Sequence, residues 1–117
     1  MDKQEFIKAI ETLVEMIEFR DNVGDLIHNL KYIDTDLIGA DSIILPADSL
    51  IISLIARLLT VNNTDKFKDI EETIGWWLYD TECGKNEDYI TVTYRDGTEK
   101  AIKTPDDLWE DIQYCLN

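Results

Sequence analysis

The sequence predicts an α+β, mostly helical domain: about five helices with a C-terminal two-stranded β-hairpin between the last two. Three observations predict it. Apolar residues recur at helical spacing through most of the chain up to Glu82. A strand-like run, YITVTY at 89–94, is separated from TEKAIK at 98–103 by Arg95-Asp96-Gly97, a strong turn signal. Thr104-Pro105-Asp106-Asp107 then opens a last helical pattern. The 117 residues suit one domain, 1–117, with a core of its own.

Residues 3–20 read as an amphipathic helix. Phe6, Ile10, Leu13 and Ile17 form its stripe, and Asp2 with Glu5 makes a capping box. Residues 21–33 read as a shorter helix with Val23, Leu26, Ile27, Leu30 and Ile33 on one side. Gly24 weakens its first turn, and His28 falls off the stripe. Segment 34–47 fits a short strand, a helical turn or a packed loop, with Ile43-Ile44-Leu45 stopped by Pro46. ADSII at 40–44 echoes ADSLI at 47–51, as two successive Asp/Ser helix starts would.

Residues 47–61 predict the most buried helix, with Pro46 suited to its first turn. It is apolar nearly all round, and only Ser53, Arg57 and Thr60 offer a thin stripe to solvent. The core is the expected place for such a helix, although an oligomer interface suits it too. After the turn VNNTD, Asn63 or Thr64 starts a helix that runs to about Glu82, with Phe67, Ile70, Ile74 and Trp77 in line. Gly84 is its expected stop.

Parity decides the hairpin register. A two-residue loop would set Ile102 opposite Thr91, away from Ile90, Val92 and Tyr94. The three-residue loop Arg95-Asp96-Gly97 pairs Ile90 with Ile102, with Gly97 left-handed in a G1 bulge. Thr104 then caps the final helix, Pro105 takes its first position, and Asp106 and Asp107 oppose the dipole. Leu108, Ile112 and Cys115 form its stripe, flanked by Trp109 and Leu116.

Adjacent helical residues point about 100° apart, so Trp76 and Trp77 separate. Trp77 lies in the stripe and reads as core. Trp76, on the flank, either packs beneath the hairpin over Ile90 and Ile102 or stands at a partner surface. Trp76, Tyr79, Asp80, Glu82, Glu87 and Asp88 are the candidate partner-contact residues.

The net charge is −14, from 25 acids and 11 bases spread along the chain. Such a surface repels nucleic acid and anionic membrane, and favours solubility, cations or a basic protein surface. No apolar run approaches the roughly 20 residues that span a bilayer, and the start MDKQEF lacks a signal pattern. A cytoplasmic protein is expected. With Cys83, Cys115 and one His, a zinc site lacks ligands, and two free thiols are expected. DTD at 34–36 lacks the further ligands of an EF-hand loop. No phosphate-binding, dinucleotide, metalloprotease or nucleophile-elbow motif is present. A Ser–His or Cys–His mechanism would need His28 as its base. The loop DTECGKNED at 80–88 reads as a solvated connection, and a reactive Cys83 would depend on Lys85. No enzyme, catalytic residue, cofactor or metal is therefore expected.

WWLYDTECGK at 76–85 and YRDGTEKAIKTPDDLWEDI at 94–112 resemble the C-terminal half of small acidic proteins from phages and prophages of Gram-positive bacteria. In those an aromatic-rich helix precedes a Gly-Lys turn, a DG hairpin and a TP[DE]DL[WY] helix. The resemblance implies a mobile-element origin and a bacterial host cytoplasm. In size and charge it points towards inhibitors of host defence, such as anti-CRISPR or anti-restriction proteins. The expected function is non-enzymatic binding of a protein partner with a basic surface, by electrostatic occlusion or mimicry. The alternatives are a structural or oligomeric accessory protein and an immunity-type protein that neutralises a cognate toxin.

Overall fold

Helical stripes that meet in one apolar core determine the architecture, which is known here from a computed structural model. The structure describes the backbone of residues 1–29 and 39–117 and the side chains of residues 1–25 and 47–117. Helix α1 (Lys3–Asn29) is followed by α2 (Gly39–Leu59) and α3 (Phe67–Gly75). A 3-10 turn, Thr64–Lys66, leads into α3, and a π-helical turn, Trp76–Asp80, leads out of it. Strands β1 (Thr91–Thr93) and β2 (Glu99–Ala101) precede α4 (Pro105–Leu116). Helix α1 packs on α2 and α4, and α3 packs on the same two helices. Phe6, Ile10, Leu13, Ile52, Ile55, Ile70, Ile74, Trp77, Leu108 and Ile112 are among the side chains buried between them.

The described residues thus hold four helices rather than about five. Two expected helices, 3–20 and the start of 21–33, are one continuous α1. The physical reason lies in the stripe itself. Its spacing of four and three runs on from Ile17 through Arg20 to Gly24, so no phase change separates the two halves. Gly24 costs only about 1 kcal/mol inside a helix, too little to end one that packs along its length. At the N-terminus the expected capping box is formed: the Glu5 amide donates to Asp2 Oδ1 at 2.8 Å, and the Asp2 amide to Glu5 Oε1 at 3.4 Å.

Helix α2 starts at Gly39 rather than near Pro46, so both ADS sequences lie within one helix instead of opening two. Pro46 withholds one ladder hydrogen bond without ending it. Residues 30–38, including the DTD sequence and the rest of the expected second helix, lie outside the described residues, as does the side chain of His28. The solvent face of α2 also differs from expectation. Thr60 is buried and its hydroxyl donates to the Ala56 carbonyl at 2.7 Å. The inward face is Asp48, Ile52, Ile55, Ala56 and Thr60, while Leu50, Leu54, Leu58 and Val61 are exposed at 71%, 56%, 46% and 69%. A helix apolar on every side gives no clue to which side is covered. A hydroxyl satisfied by its own helix can be buried at little cost.

The helix entered at Thr64 becomes a π turn at Trp76 and stops at Asp80, short of Glu82. A π turn carries an extra residue, and the neighbours Trp77 and Leu78 are both buried. The following turn is built around buried Thr81. Its hydroxyl donates to the Trp77 carbonyl and accepts from the Gly84 amide at 3.0 Å, and its carbonyl accepts from the Asn86 amide at 2.8 Å. Glu82, Cys83 and Gly84 are left-handed in succession, with φ of 51°, 59° and 84°.

The hairpin has the expected register. Thr91 pairs with Ala101, Val92 with Lys100 and Thr93 with Glu99. This continues to Ile90 and Ile102, where the Ile102 amide donates to the Ile90 carbonyl at 2.8 Å. The loop is Arg95-Asp96-Gly97, with Gly97 at φ 87°. A two-stranded hairpin is marginal alone. Here buried Ile90 and Ile102 anchor it, and the Trp77 indole donates to the Ile102 carbonyl at 2.9 Å. Helix α4 opens with a reciprocal cap. The Asp107 amide donates to Thr104 Oγ1 at 3.2 Å, and Asp107 Oδ2 accepts from the Thr104 amide at 3.2 Å. Such caps stabilise by about 1 kcal/mol.

Candidate functional site

The two tryptophans lie on opposite sides of the question they raise. Trp77 is core, only 1% exposed, and it is Trp77 that reaches beneath the hairpin. Trp76 is half-buried and lines an open cleft between α3, the hairpin and α4, about 430 Å³ in volume. Its other walls include Val92 and Tyr94 from the hairpin side, Asp69, Glu72 and Thr73 from α3, and Asp111, Tyr114 and Cys115 from α4. Among the described residues no lysine or arginine lines it.

Elementary periodicity assembles this cleft. Val92 and Tyr94 alternate onto one face of the strand, and Asp111 and Cys115 share a helix face at i and i+4. The Tyr94 and Tyr114 rings lie with centroids 4.4 Å apart at 44°. The Tyr94 hydroxyl donates to Asp111 Oδ1 at 2.8 Å. Burial and this bond to Asp111 push the Tyr94 phenol well above its ordinary value, so it stays protonated and a donor. Burial, then Asp111, also raises the Cys115 thiol.

The other contact residues lie elsewhere. Tyr79, Glu82, Cys83 and Lys85 line a second cleft, about 350 Å³, against Ile17, Glu18, Arg20 and Asp21 of α1. Asp80, Glu87 and Asp88 are exposed around the same turn. The six candidate residues therefore do not form one surface: Trp76 faces the α3–α4 side, whereas Tyr79 and Glu82 face α1. Tyr79 reaches Asp48, its hydroxyl 3.5 Å from Oδ2. Burial first, and Asp48 second, raise its phenol above the ordinary value. Asp48 is fully buried and is held by the Arg20 guanidinium at 2.5 Å. Its Oδ1 has no hydrogen-bond partner among the described residues.

Both cysteines are free. Burial raises the Cys83 thiol, outweighing nearby Lys85, and a raised thiol is a poor source of thiolate. Among the described residues no group of three or more His, Cys, Asp and Glu side chains is placed to hold a metal ion. No helix among them is long and apolar enough to cross a membrane.

Several residues of the aromatic cleft were not singled out in the sequence: Asp69, Glu72, Tyr94, Asp111 and Tyr114. One signal for Asp111 was present. Leu108, Asp111, Ile112 and Cys115 are spaced as one helical face, so a carboxylate interrupts the apolar stripe. Set against known proteins, the chain matches no family model, no curated protein and no solved structure.

Proposed function

We propose that this chain is a non-enzymatic acidic protein of phage or prophage origin that binds a protein with a basic surface. By occlusion or mimicry it would inhibit a host defence or nucleic-acid-binding protein. The observation that carries the reading is charge without compensation. Of the acids among the described residues, only Glu18, Asp21, Asp48, Asp106 and Glu110 take part in ion pairs. Exposed acids stand on α1, on the turn after α3, on the hairpin and on α4. Fields of one sign steer oppositely charged partners and disfavour association with nucleic acid. The test is capture from a Gram-positive host lysate at low salt, repeated at raised salt. The expected partner is basic and is released as the screening length falls from about 10 Å at 0.1 M towards 3 Å at 1 M. Recovering no partner, or only partners indifferent to salt, overturns the reading.

A second reading, an accessory protein that self-assembles, is favoured by one observation. Leu50, Leu54, Leu58 and Val61 make an exposed apolar stripe on α2 and just beyond it, and between Asp48 and Asp65 the chain has no acid. Sedimentation over a range of concentrations tests it. Assembly through this stripe predicts an oligomer that Leu54→Glu converts to monomer, and a wild-type monomer at high concentration excludes it.

A further inference from the structure

Asp111 is 4% exposed, yet it lies in no ion pair among the described residues. Its single hydrogen bond from them is the neutral Tyr94 hydroxyl on Oδ1. A buried carboxylate is costly unless a cation or several donors compensate it. Asp111 lines the α3–α4 cleft; Oδ1 takes the Tyr94 hydroxyl, and Oδ2, which is not enclosed, opens onto the cleft. Trp76, Tyr94 and Tyr114 add aromatic surface to the same cleft, and Asp69 and Glu72 add charge at its α3 side. Aromatic faces attract cations through the ring quadrupole. A guanidinium is flat enough to stack on them while it donates to a carboxylate, and it is more weakly hydrated than an ammonium.

We propose that this cleft seats an arginine side chain of the basic partner, with its guanidinium paired to Asp111 and stacked on the aromatic wall. The inference rests on the basic-partner reading and names the residues that would anchor that partner. Complementarity of charge favours this occupant: among the described residues the lining offers carboxylates and aromatics and no lysine or arginine.

The probe is N-acetyl-arginine amide, followed by NMR at the indole N–H signals and by tryptophan fluorescence. Saturable changes at Trp76 are expected, with the Trp77 indole, bonded to Ile102, unaffected. The uncharged isostere N-acetyl-citrulline amide is expected to bind at least about tenfold more weakly, a loss equal to one factor of ten per ~1.4 kcal/mol. Asp111→Asn keeps the shape and is expected to weaken the arginine probe about tenfold, whereas Glu15→Gln, with the same change of charge on exposed α1, leaves it unchanged. Tyr114→Ala, at a side chain 56% exposed, spares the core and is expected to weaken the probe severalfold. Equal binding of arginine and citrulline probes, or equal effects of Asp111→Asn and Glu15→Gln, overturns the proposal. A basic, salt-sensitive partner held equally by wild type and Asp111→Asn also overturns it while leaving the basic-partner reading intact. Saturable, Asp111-dependent arginine binding without any basic partner has the opposite consequence.

Discussion

Gly84→Ala is expected to destabilise the protein by about 3 kcal/mol or more, enough to lower Tm by roughly 12 °C for a chain of this size. Two separate effects add. Gly84 has φ of 84°, a conformation that costs a residue with a Cβ about 1–2 kcal/mol. A Cβ at this position would also stand 2.1 Å from the Lys103 carbonyl oxygen and 2.7 Å from its carbon. Overlap with backbone costs about 1–3 kcal/mol more in a packed site. Neither side is free to yield. The Gly84 amide is bonded to Thr81, the Lys103 amide donates to Asp107 Oδ2 at 3.1 Å, and the preceding carbonyl holds the Trp77 indole. Two other glycines separate the causes. Gly97 has φ of 87° with open space around it, so Gly97→Ala is expected to lose only the conformational part, about 1–2 kcal/mol. Gly24 sits inside α1 with nothing within 4 Å of a Cβ, so Gly24→Ala is expected to stabilise by about 0.5–1 kcal/mol. Denaturant unfolding of the three variants checks the order. Gly84→Ala no worse than Gly97→Ala would show that the approach of Lys103 carries no constraint.

That contact explains what could be read from the sequence and what could not. Gly84 is legible as a helix stop, because a left-handed residue after a helix is a local requirement. Its contact with Lys103 is not, because it depends on where the hairpin docks. The same division runs through the molecule. Capping at Asp2 and Thr104 and the pairing of Ile90 with Ile102 follow from neighbours in sequence, and the structure has them. The π turn at Trp76 has no sequence signature, and it changes which residues beside Trp77 are buried: Leu78, absent from the 3.6-residue series, is 2% exposed. Helix α2 shows the limit of hydropathy. Its residues 50–59 are apolar on nearly every side, so the face left open had to come from the packing of α1 and α3.

The candidate site was least legible for a related reason. Exposed aromatics and acids drew attention to the turn at 79–88, but charged residues inside apolar stripes carried more information. Arg20 continues the Phe6–Ile17 series, Asp48 stands four before Ile52, and Asp111 stands between Leu108 and Ile112. Each can be taken for the end or flank of a stripe, and each proves to be on it. Asp48 and Arg20 find each other across α1 and α2, whereas Asp111 has only a tyrosine among the described residues.

Arg20→Leu is expected to cost about 3–5 kcal/mol, because it leaves the Asp48 carboxylate buried without its cation. Among the described residues Asp48 has little else: Oδ1 takes no hydrogen bond from them and Tyr79 is 3.5 Å away, at the limit of hydrogen bonding. Asp48→Leu is expected to cost less, about 1–3 kcal/mol, because the long Arg20 stem lets its head turn towards water at the rim of the α1 cleft. The double variant Arg20→Leu/Asp48→Leu decides what the pair does. If the ion pair mainly compensates its own desolvation, removing both charges restores most of the stability lost in Arg20→Leu, and the two single costs fail to add. The restored protein would still pack α1 on α2 through Ile17, Ile52 and Ile55. If instead the pair is a net source of stability, the double variant stays as weak as Arg20→Leu. Denaturant midpoints at constant m-value distinguish these outcomes. An Arg20→Leu protein within about 1 kcal/mol of wild type would mean that Asp48 does not depend on this cation, and that this buried pair does not join the first two helices.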